Sequence, residues 1–401
     1  MGKSVFYNLF GSLFDKGLPI IISAFLTKFM LVQEYGKWSL FYQFILIINA
    51  VCATPIMTIF SRNFYNLEDD NQNMFIYNYK HVFLLFIFFS VMYYVFFGKI
   101  STAIFIEIPA LLCISLYSYL GLFFRFRSED KKYFTYSLIR LLVFGLIVLG
   151  VISVYGKISY LNLTLIFILS HIPSLLKTVN LVDFKSQNKK SDLKEFYSLS
   201  VYGLSTSLVN GLDKFAILAS GFSLNFLAYY SFIYTLTNSP TIIVEAMKKT
   251  IQPKMYKELA ENSKISKKTF KQILKSLSVI FVIQVIVPFF MFYLLATLNL
   301  IHNDFMKIEN SYYFIFILSI GFFFQAIYHF INPIHFFYKK SMILLYIQTG
   351  SMIIYVLILF MFSSWFDYEK FMWLKSLILI LITLVCLVSL KKIKFNNLKM
   401  N

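Results

Sequence analysis

Nine ionisable residues lie inside long apolar segments, and their side chains are the ones that could do chemistry. They are Asp15, Lys16, Glu107, Arg140, Lys177, Asp213, Lys214, Glu245 and Lys375. An ionisable group in hydrocarbon is costly, so it usually faces a water-filled cavity or a partner. Ionised lysine suits a phosphate group as a point charge, and arginine can bind one bidentately. These residues therefore indicate an interior that could receive an anionic ligand.

The depth of these residues within their segments separates them into groups. Lys177 and Lys375 lie within about a turn and a half of a segment end, so we expect their stems to reach the interface by snorkelling. The Asp-Lys pairs at 15–16 and 213–214 are too deep for that. Neighbouring residues on a helix are about 100° apart and do not face each other, so we do not expect each aspartate simply to cancel its lysine.

Polar residues extend from these charges along single helix faces. The stripes comprise Asn8, Ser12, Asp15, Pro19 and Ser23; Gly203, Thr206, Ser207, Asn210, Asp213 and Lys214; Tyr230, Tyr234, Asn238, Thr241 and Glu245; and Gly321, Gln325, Tyr328, His329 and Asn332. Such helices either surround a wet cavity or pack through hydrogen bonds. The first two stripes favour a cavity, and both interpretations stay open for the other two.

The motifs typical of enzymes are missing from the sequence. It contains no Gly-rich phosphate loop, no HExxH, no paired cysteines and no Ser-His-Asp spacing. The five histidines are scattered, so we assign them to packing or to the interface. Cys52, Cys113 and Cys386 fall in apolar stretches and predict neither a disulfide nor a metal site. We therefore expect no catalytic residue, no metal and no cofactor.

The elements that must position these residues are about twelve apolar segments. Hydrophobic residues make up 59% of the 401, and the mean hydropathy is +0.71. Each segment has the roughly 20 apolar residues needed to cross a ~30 Å hydrocarbon layer. They lie near 5–31, 36–60, 81–98, 101–124, 133–155, 158–182, 197–222, 226–250, 271–298, 311–332, 341–363 and 371–390. The sequence therefore predicts an all-α integral membrane protein.

The basic residues orient these segments. A basic cluster follows every second segment, so that 26 of the 37 lysines and arginines fall on one side and six on the other. Loops rich in lysine and arginine stay cytoplasmic, which places both termini in the cytoplasm. The net charge of +18 is thus a topology signal, and no nucleic-acid partner is expected.

An internal repeat predicts two halves of six segments. The first half opens with Phe6–Leu9 (FYNL) and the second with Phe196–Leu199 (FYSL), and each opening helix then carries an Asp-Lys pair. Both halves start on the same side, which implies parallel repeats of the kind common in transporters. We predict an N-terminal six-helix bundle at 1–182, a cytoplasmic linker at 183–196, a C-terminal six-helix bundle at 197–391 and a basic cytoplasmic tail at 392–401.

Several short stretches resemble a known family. They are Glu34–Ser39, the end of the following apolar span at Ser61-Arg62, Asp213–Leu218, Tyr229–Ser231 and Gln252-Pro253. They are similar to the openings of the two halves in Wzx-type O-antigen flippases, which are polysaccharide transporters of the multidrug/oligosaccharidyl-lipid/polysaccharide exporter superfamily. Length, segment number and cytoplasmic termini match along the whole chain. Two departures are Ala228, where a glycine often precedes the tyrosine, and a one-turn offset of the Asp-Lys pair at 15–16.

The resemblance implies two bundles that rock about a cationic central cavity, giving alternating access. The cargo would be an undecaprenyl-diphosphate-linked oligosaccharide, the O-antigen unit of lipopolysaccharide, moved from the inner to the outer leaflet of the bacterial inner membrane. Substrate binding would fall to Lys16, Lys214, Arg140 and Asn210. Charge balance or ion coupling would fall to Asp15, Asp213, Glu107 and Glu245. Expected partners are that lipid-linked oligosaccharide, membrane lipid, a coupling proton or sodium ion, and other membrane proteins of polysaccharide assembly.

Two alternatives stay open at the level of sequence. A membrane O-antigen polymerase has a similar length, but it would be expected to carry a large arginine-bearing outer loop, whereas the outer loops here are short and arginine-poor. A multidrug exporter of the same superfamily would share the fold and would be expected to have a more apolar or acidic cavity. A flippase for the lipid-linked peptidoglycan precursor would be expected to have two further spans.

Overall fold

The computed structural model describes most of the chain. The described residues are 6–7, 10–11, 14, 26–63, 74–75, 79–97, 107–110, 117–118, 120–121, 123–124, 129–183, 193–244, 247–248, 251, 255, 258–259, 265–301, 305, 310–338, 340–362 and 365–397. The long helices are α1 Val32–Asn63, α2 Tyr79–Phe97, α3 Asp130–Tyr155, α4 Tyr160–Leu181, α5 Leu193–Ala219, α6 Leu224–Asn238, α7 Lys267–Thr297, α8 Ser311–Phe337, α9 Ser341–Phe362 and α10 Tyr368–Asn397. The two-residue strands β1 Met74–Phe75 and β2 Val182–Asp183 pair in parallel.

The predicted all-α class is confirmed. Helices α1 to α5 and α7 to α10 coincide with nine of the twelve predicted segments. The predicted span 226–250 is wrong as one continuous helix: α6 ends at Asn238, and helical structure resumes at Thr241 after Pro240, which has no N–H to continue the helix. The segments near 5–31 and 101–124 lie largely outside the described residues. Seven helical stretches in the described part of the chain are long and apolar enough to cross a membrane. They are Val32–Ala53, Asp130–Tyr155, Tyr160–Lys177, Lys267–Thr297, Ser311–His335, Met342–Phe362 and Glu369–Leu390.

Local sequence signals set several helix ends. Ser223 precedes α6 and its hydroxyl accepts the N–H of Phe226, while Ser266 caps α7 in the same way. A serine in this position satisfies one of the unpaired N–H groups of a first helical turn. Helix α3 ends at Gly156, whose φ of 68° is the left-handed conformation that glycine adopts without steric cost.

The chain divides into two compact units. One comprises Met1–Asp15 with Phe29–Leu208, and the other comprises Lys16–Lys28 with Val209–Asn401. Helix α5 contributes its first residues to the first unit and its last residues to the second. The predicted linker at 183–196 stays a prediction, because residues 184–192 lie outside the described part.

In the first unit, α1 packs against α2 and α4, and α3 packs against α4. At the start of α1, the Glu34 carboxylate accepts the backbone N–H of Tyr160 at 2.9 Å. Farther along, Gly203 of α5 lies so close to the Ala50 carbonyl oxygen of α1 that a β-carbon would not fit. Small residues permit such close approach between membrane helices, so part of the predicted α5 stripe serves packing.

In the second unit, α8 packs against α6, α7, α9 and α10. Gly321 of α8 faces Ser376 of α10, whose hydroxyl donates to the Ile317 carbonyl at 2.8 Å. The Gln284 amide of α7 donates to the Thr237 carbonyl of α6 at 2.5 Å. Backbone carbonyls thus accept hydrogen bonds from neighbouring helices, as expected where no water is available.

The outward faces of these helices are strongly apolar. On α3 the side chains of Leu142, Leu146 and Leu149 are all more than half exposed. On α7 the same holds for Ile286 and Phe290. Continuous exposed apolar faces are rare on monomers in water, and they are what a hydrocarbon layer requires of a spanning helix.

Candidate functional site

A cluster of buried charges lies inside the second unit, where α5, α6, α9 and α10 meet. Helix α5 contributes Asp213 and Lys214, and α10 contributes Lys375. The exposed fractions of the three residues are 0%, 5% and 0%. Full burial of three charged residues is unusual unless they are paired, so their contacts define what the cluster can do.

The carboxylate of Asp213 is held from two helices. The Tyr230 hydroxyl of α6 donates to its Oδ2, and the Lys375 ammonium of α10 lies 3.6 Å from the same oxygen. Lys375 also donates to the Val209 carbonyl of α5 at 2.5 Å. The Asp213 Oδ1 accepts no hydrogen bond from the residues that the structure describes.

Lys214 has a different environment from Lys375. Among the described residues, its ammonium has no hydrogen bond and no carboxylate within 4.0 Å; it lies 5.1 Å from the centroid of the Tyr234 ring. Lys375 lies 5.2 Å from the same ring and 5.8 Å from that of Tyr355. An aromatic face attracts a cation without neutralising its charge. With two ammonium groups and one carboxylate, the cluster carries an excess of positive charge.

The polar stripes predicted on three helices converge on this cluster. The Tyr234 hydroxyl of α6 donates to the Asn210 carbonyl of α5 at 2.6 Å, and the Gln325 amide of α8 donates to the Asn210 side-chain oxygen at 2.9 Å. Part of each stripe therefore packs through hydrogen bonds between helices. Asn210 itself stays partly exposed, so its amide can still meet a ligand.

The expectation that Lys375 snorkels to the interface is wrong. Helix α10 begins at Tyr368, so Lys375 lies about two turns inside it, and its ammonium pairs with Asp213 rather than reaching an end. Lys375, Thr383 and Cys386 lie on one helix face, and all three are buried.

Glu107 and Arg140 belong to the first unit, whereas the Asp213 cluster belongs to the second. Glu107 is fully buried, and its carboxylate accepts a hydrogen bond from the Tyr160 hydroxyl. The Arg140 guanidinium lies 4.4 Å from the Tyr117 ring centroid and 3.3 Å from His171 Nε2. Because arginine can only donate, that nitrogen accepts, and His171 Nδ1 donates to the Phe167 carbonyl at 2.7 Å.

Asp15, Lys16 and Glu245 lie outside the described residues, so their predicted roles stay predictions. No group of three or more His, Cys, Asp or Glu side chains within the described ranges is arranged to hold a metal ion. The side chains of Cys52 and Cys386 are both buried.

The sequence matches no protein-family model and no curated protein. Solved structures match over nearly its full length. The outward-facing conformation of a multidrug resistance MATE family transporter of the MOP superfamily is 10% identical, with a TM-score of 0.66 over 100% of this chain and 97% of that one. The inward closed conformation of the lipid II flippase MurJ is 13% identical, with a TM-score of 0.65 over 95% and 86%. The Vibrio cholerae MATE transporter VcmN in its bent form is 12% identical, with a TM-score of 0.59 over 97% and 95%.

These similarities identify the fold. At 10% to 13% identity the chain shares the helical architecture of multi-pass MOP-superfamily transporters. The three solved structures are those of two transporters and a flippase, not of enzymes. The fold alone does not assign a role to this chain, so a functional proposal has to rest on the chemistry of the buried cluster.

Proposed function

We propose that this chain is a flippase of the Wzx type, which moves an undecaprenyl-diphosphate-linked O-antigen oligosaccharide from the inner to the outer leaflet of the bacterial inner membrane. The observation that carries the proposal is the buried excess of positive charge around Asp213. Lys214 supplies it, because its ammonium has no hydrogen bond and no carboxylate partner among the described residues.

The sign of the charge favours an anionic cargo over a cationic drug. Two like unit charges 4 Å apart repel by about 4 kcal/mol at an effective dielectric constant of 20. A buried ammonium therefore discriminates strongly against a cation and attracts a diphosphate, for which lysine is a suitable point-charge partner. The solved structures with this fold include both multidrug transporters and a lipid II flippase, so the fold accommodates either class of cargo.

The remaining candidate residues extend this proposal. Lys16 and Arg140 would add positive charge for the diphosphate and the sugars, and the Asn210 amide would hydrogen-bond the glycan. Asp15, Glu107 and Glu245 would balance charge or bind a coupling proton or sodium ion. Transport would proceed by alternating access, in the company of other membrane proteins of polysaccharide assembly.

A deletion strain tests the proposal when its lipid-linked intermediates are assigned to a leaflet. We expect loss of surface polysaccharide, with single oligosaccharide units trapped on the cytoplasmic leaflet. Surface lipopolysaccharide capped by one repeat unit would instead indicate a polymerase. Normal glycan with altered drug sensitivity would indicate a multidrug exporter.

Complementation of that strain tests the cationic site. The chain with both Lys16 and Lys214 replaced by alanine should fail to restore surface polysaccharide at low expression. Lys268→Ala is the matched control, because Lys268 is an exposed lysine of α7. Full restoration by the double variant would overturn the assignment of these lysines to the cargo.

A further inference from the structure

The described part of the second unit holds two buried lysines, Lys214 and Lys375, and their contacts assign them different tasks. Lys375 lies 3.6 Å from the Asp213 carboxylate and donates to the Val209 carbonyl at 2.5 Å. Lys214 makes no such hydrogen bond or ion pair with the described residues, and its ammonium lies 5.1 Å from the centroid of the Tyr234 ring. One ammonium is thus committed to the protein, and the other is not.

We propose that Lys375 is a positioning residue that neutralises Asp213, so that Lys214 keeps its positive charge available to the phosphate of the cargo. This inference rests on the proposed function and names the residue that sets its charge selectivity. It follows from the composition of the cluster, in which one carboxylate is shared between two ammonium groups.

Lys375 acts on Lys214 through charge and not through any direct contact between Asp213 and Lys214. Without Lys375 the Asp213 carboxylate would remain buried beside Lys214, and the cluster would have no net charge. An incoming phosphate would then meet a carboxylate as well as an ammonium. Without both Asp213 and Lys375, Lys214 would again be the sole charge, and the cluster would return to an excess of one positive charge.

The position of the Asp213 side chain explains how Lys375 does this from another helix. The Tyr230 hydroxyl donates to Asp213 Oδ2, the same oxygen that faces Lys375. The carboxylate is therefore fixed by α6 and α10 together. Because charged hydrogen bonds in a dry interior are strong, Asp213 is held on the side of Lys375.

The test uses the full-length protein in nanodiscs of neutral lipid, with undecaprenyl diphosphate as the probe, and measures its dissociation constant. Lys375→Met should weaken binding by at least about tenfold, because a unit of positive charge is lost from a buried cluster. Asp213→Asn combined with Lys375→Met should restore binding to within about threefold of wild type. Adding Lys214→Met to that double variant should weaken binding again, to at most the affinity of Lys375→Met.

A matched control and a second measurement keep the test decisive. Lys177→Met removes a partly buried lysine of α4 in the first unit and should leave binding unchanged. If Lys375→Met does not fold, Asp213→Asn alone serves instead. It keeps both lysines and should bind the probe more tightly than wild type.

Recovery in the double variant is the outcome that a merely structural role would not produce. Wild-type affinity in Lys375→Met, or a double variant no better than Lys375→Met, would overturn the inference. If Asp213→Asn is the variant measured, affinity equal to or weaker than wild type would overturn it too. Failure of the proposed function looks different: wild-type protein would not bind the probe, and the deletion strain would keep its surface glycan.

Discussion

Replacing Gly321 with alanine should force α8 and α10 apart. A β-carbon on Gly321 would lie 2.7 Å from the Ser376 Oγ and 2.8 Å from its α-carbon, whereas ordinary van der Waals contact begins at 3.4 Å. The Oγ can rotate away, but the α-carbon belongs to the backbone of α10. One of the two helices must therefore shift by ~0.6 Å along that direction.

The expected cost is about 1–2 kcal/mol. Overpacking of a well-packed interior costs about 1–3 kcal/mol, and replacing glycine by alanine within a helix returns about 0.5–1 kcal/mol. A functional effect should accompany the loss of stability, because Lys375 directly precedes Ser376. A shift of α10 would disturb the 3.6 Å ion pair between Lys375 and Asp213.

Unfolding of the purified protein in mixed micelles measures the cost, and two other glycines provide controls. Gly145 of α3 and Gly350 of α9 are helical, and at either position an added β-carbon would meet no atom of the described residues within 4 Å. Their alanine variants should be as stable as wild type or slightly more stable. Adding Ser376→Ala to Gly321→Ala should recover only part of the loss, because the clash with the backbone of α10 remains. If Gly321→Ala were as stable as Gly350→Ala, the close-packing argument would be refuted.

Two smaller perturbations test one contact in each unit. Ser266→Ala should destabilise the protein by about 1 kcal/mol, because the Ser266 hydroxyl caps α7. The control, Ser278→Ala, removes an exposed hydroxyl of the same helix and should cost less than about 0.5 kcal/mol. Equal losses of stability in the two variants on thermal melting would contradict the capping assignment. Glu34→Ala should destabilise the protein by about 1–2 kcal/mol, because it leaves the Tyr160 N–H without its acceptor. Glu34→Gln keeps an acceptor oxygen, so its melting temperature should be closer to that of wild type. A melting temperature of Glu34→Gln as low as that of Glu34→Ala would argue against this hydrogen bond.

The elements were predictable from the sequence because their determinants are local. About 20 consecutive apolar residues form a spanning helix whatever lies beside them. This is why helices α1 to α10 fall where the apolar segments predict them. The ends are less well predicted: α1 begins at Val32 and α10 extends to Asn397, whereas α6 ends at Asn238 and not near 250.

The hydrogen-bond and ion-pair partners of the side chains in the site could not be predicted, because they come from distant parts of the chain. A polar stripe shows which face of a helix is polar, but not which helix lies opposite. The Asn210–Gln325 hydrogen bond joins residues 115 positions apart, and Lys375 reaches the Val209 carbonyl across 166 positions. Depth in a segment was the only sequence guide to Lys375, and it favoured the interface over a partner that only the tertiary fold supplies.

The ratio of charges in the second unit suits a carrier better than either simpler arrangement. A buried Asp213–Lys375 pair alone would satisfy itself and present no net charge to a phosphate. A lone buried lysine would attract phosphate, but a charge in a dry interior without nearby compensation is expensive. When the Asp213–Lys375 pair lies beside Lys214, the Asp213 carboxylate and the Tyr234 ring lower the free-energy cost of burying the Lys214 charge. The excess of one positive charge remains. Under the proposed function, a site with that excess would attract the anionic phosphate of the cargo.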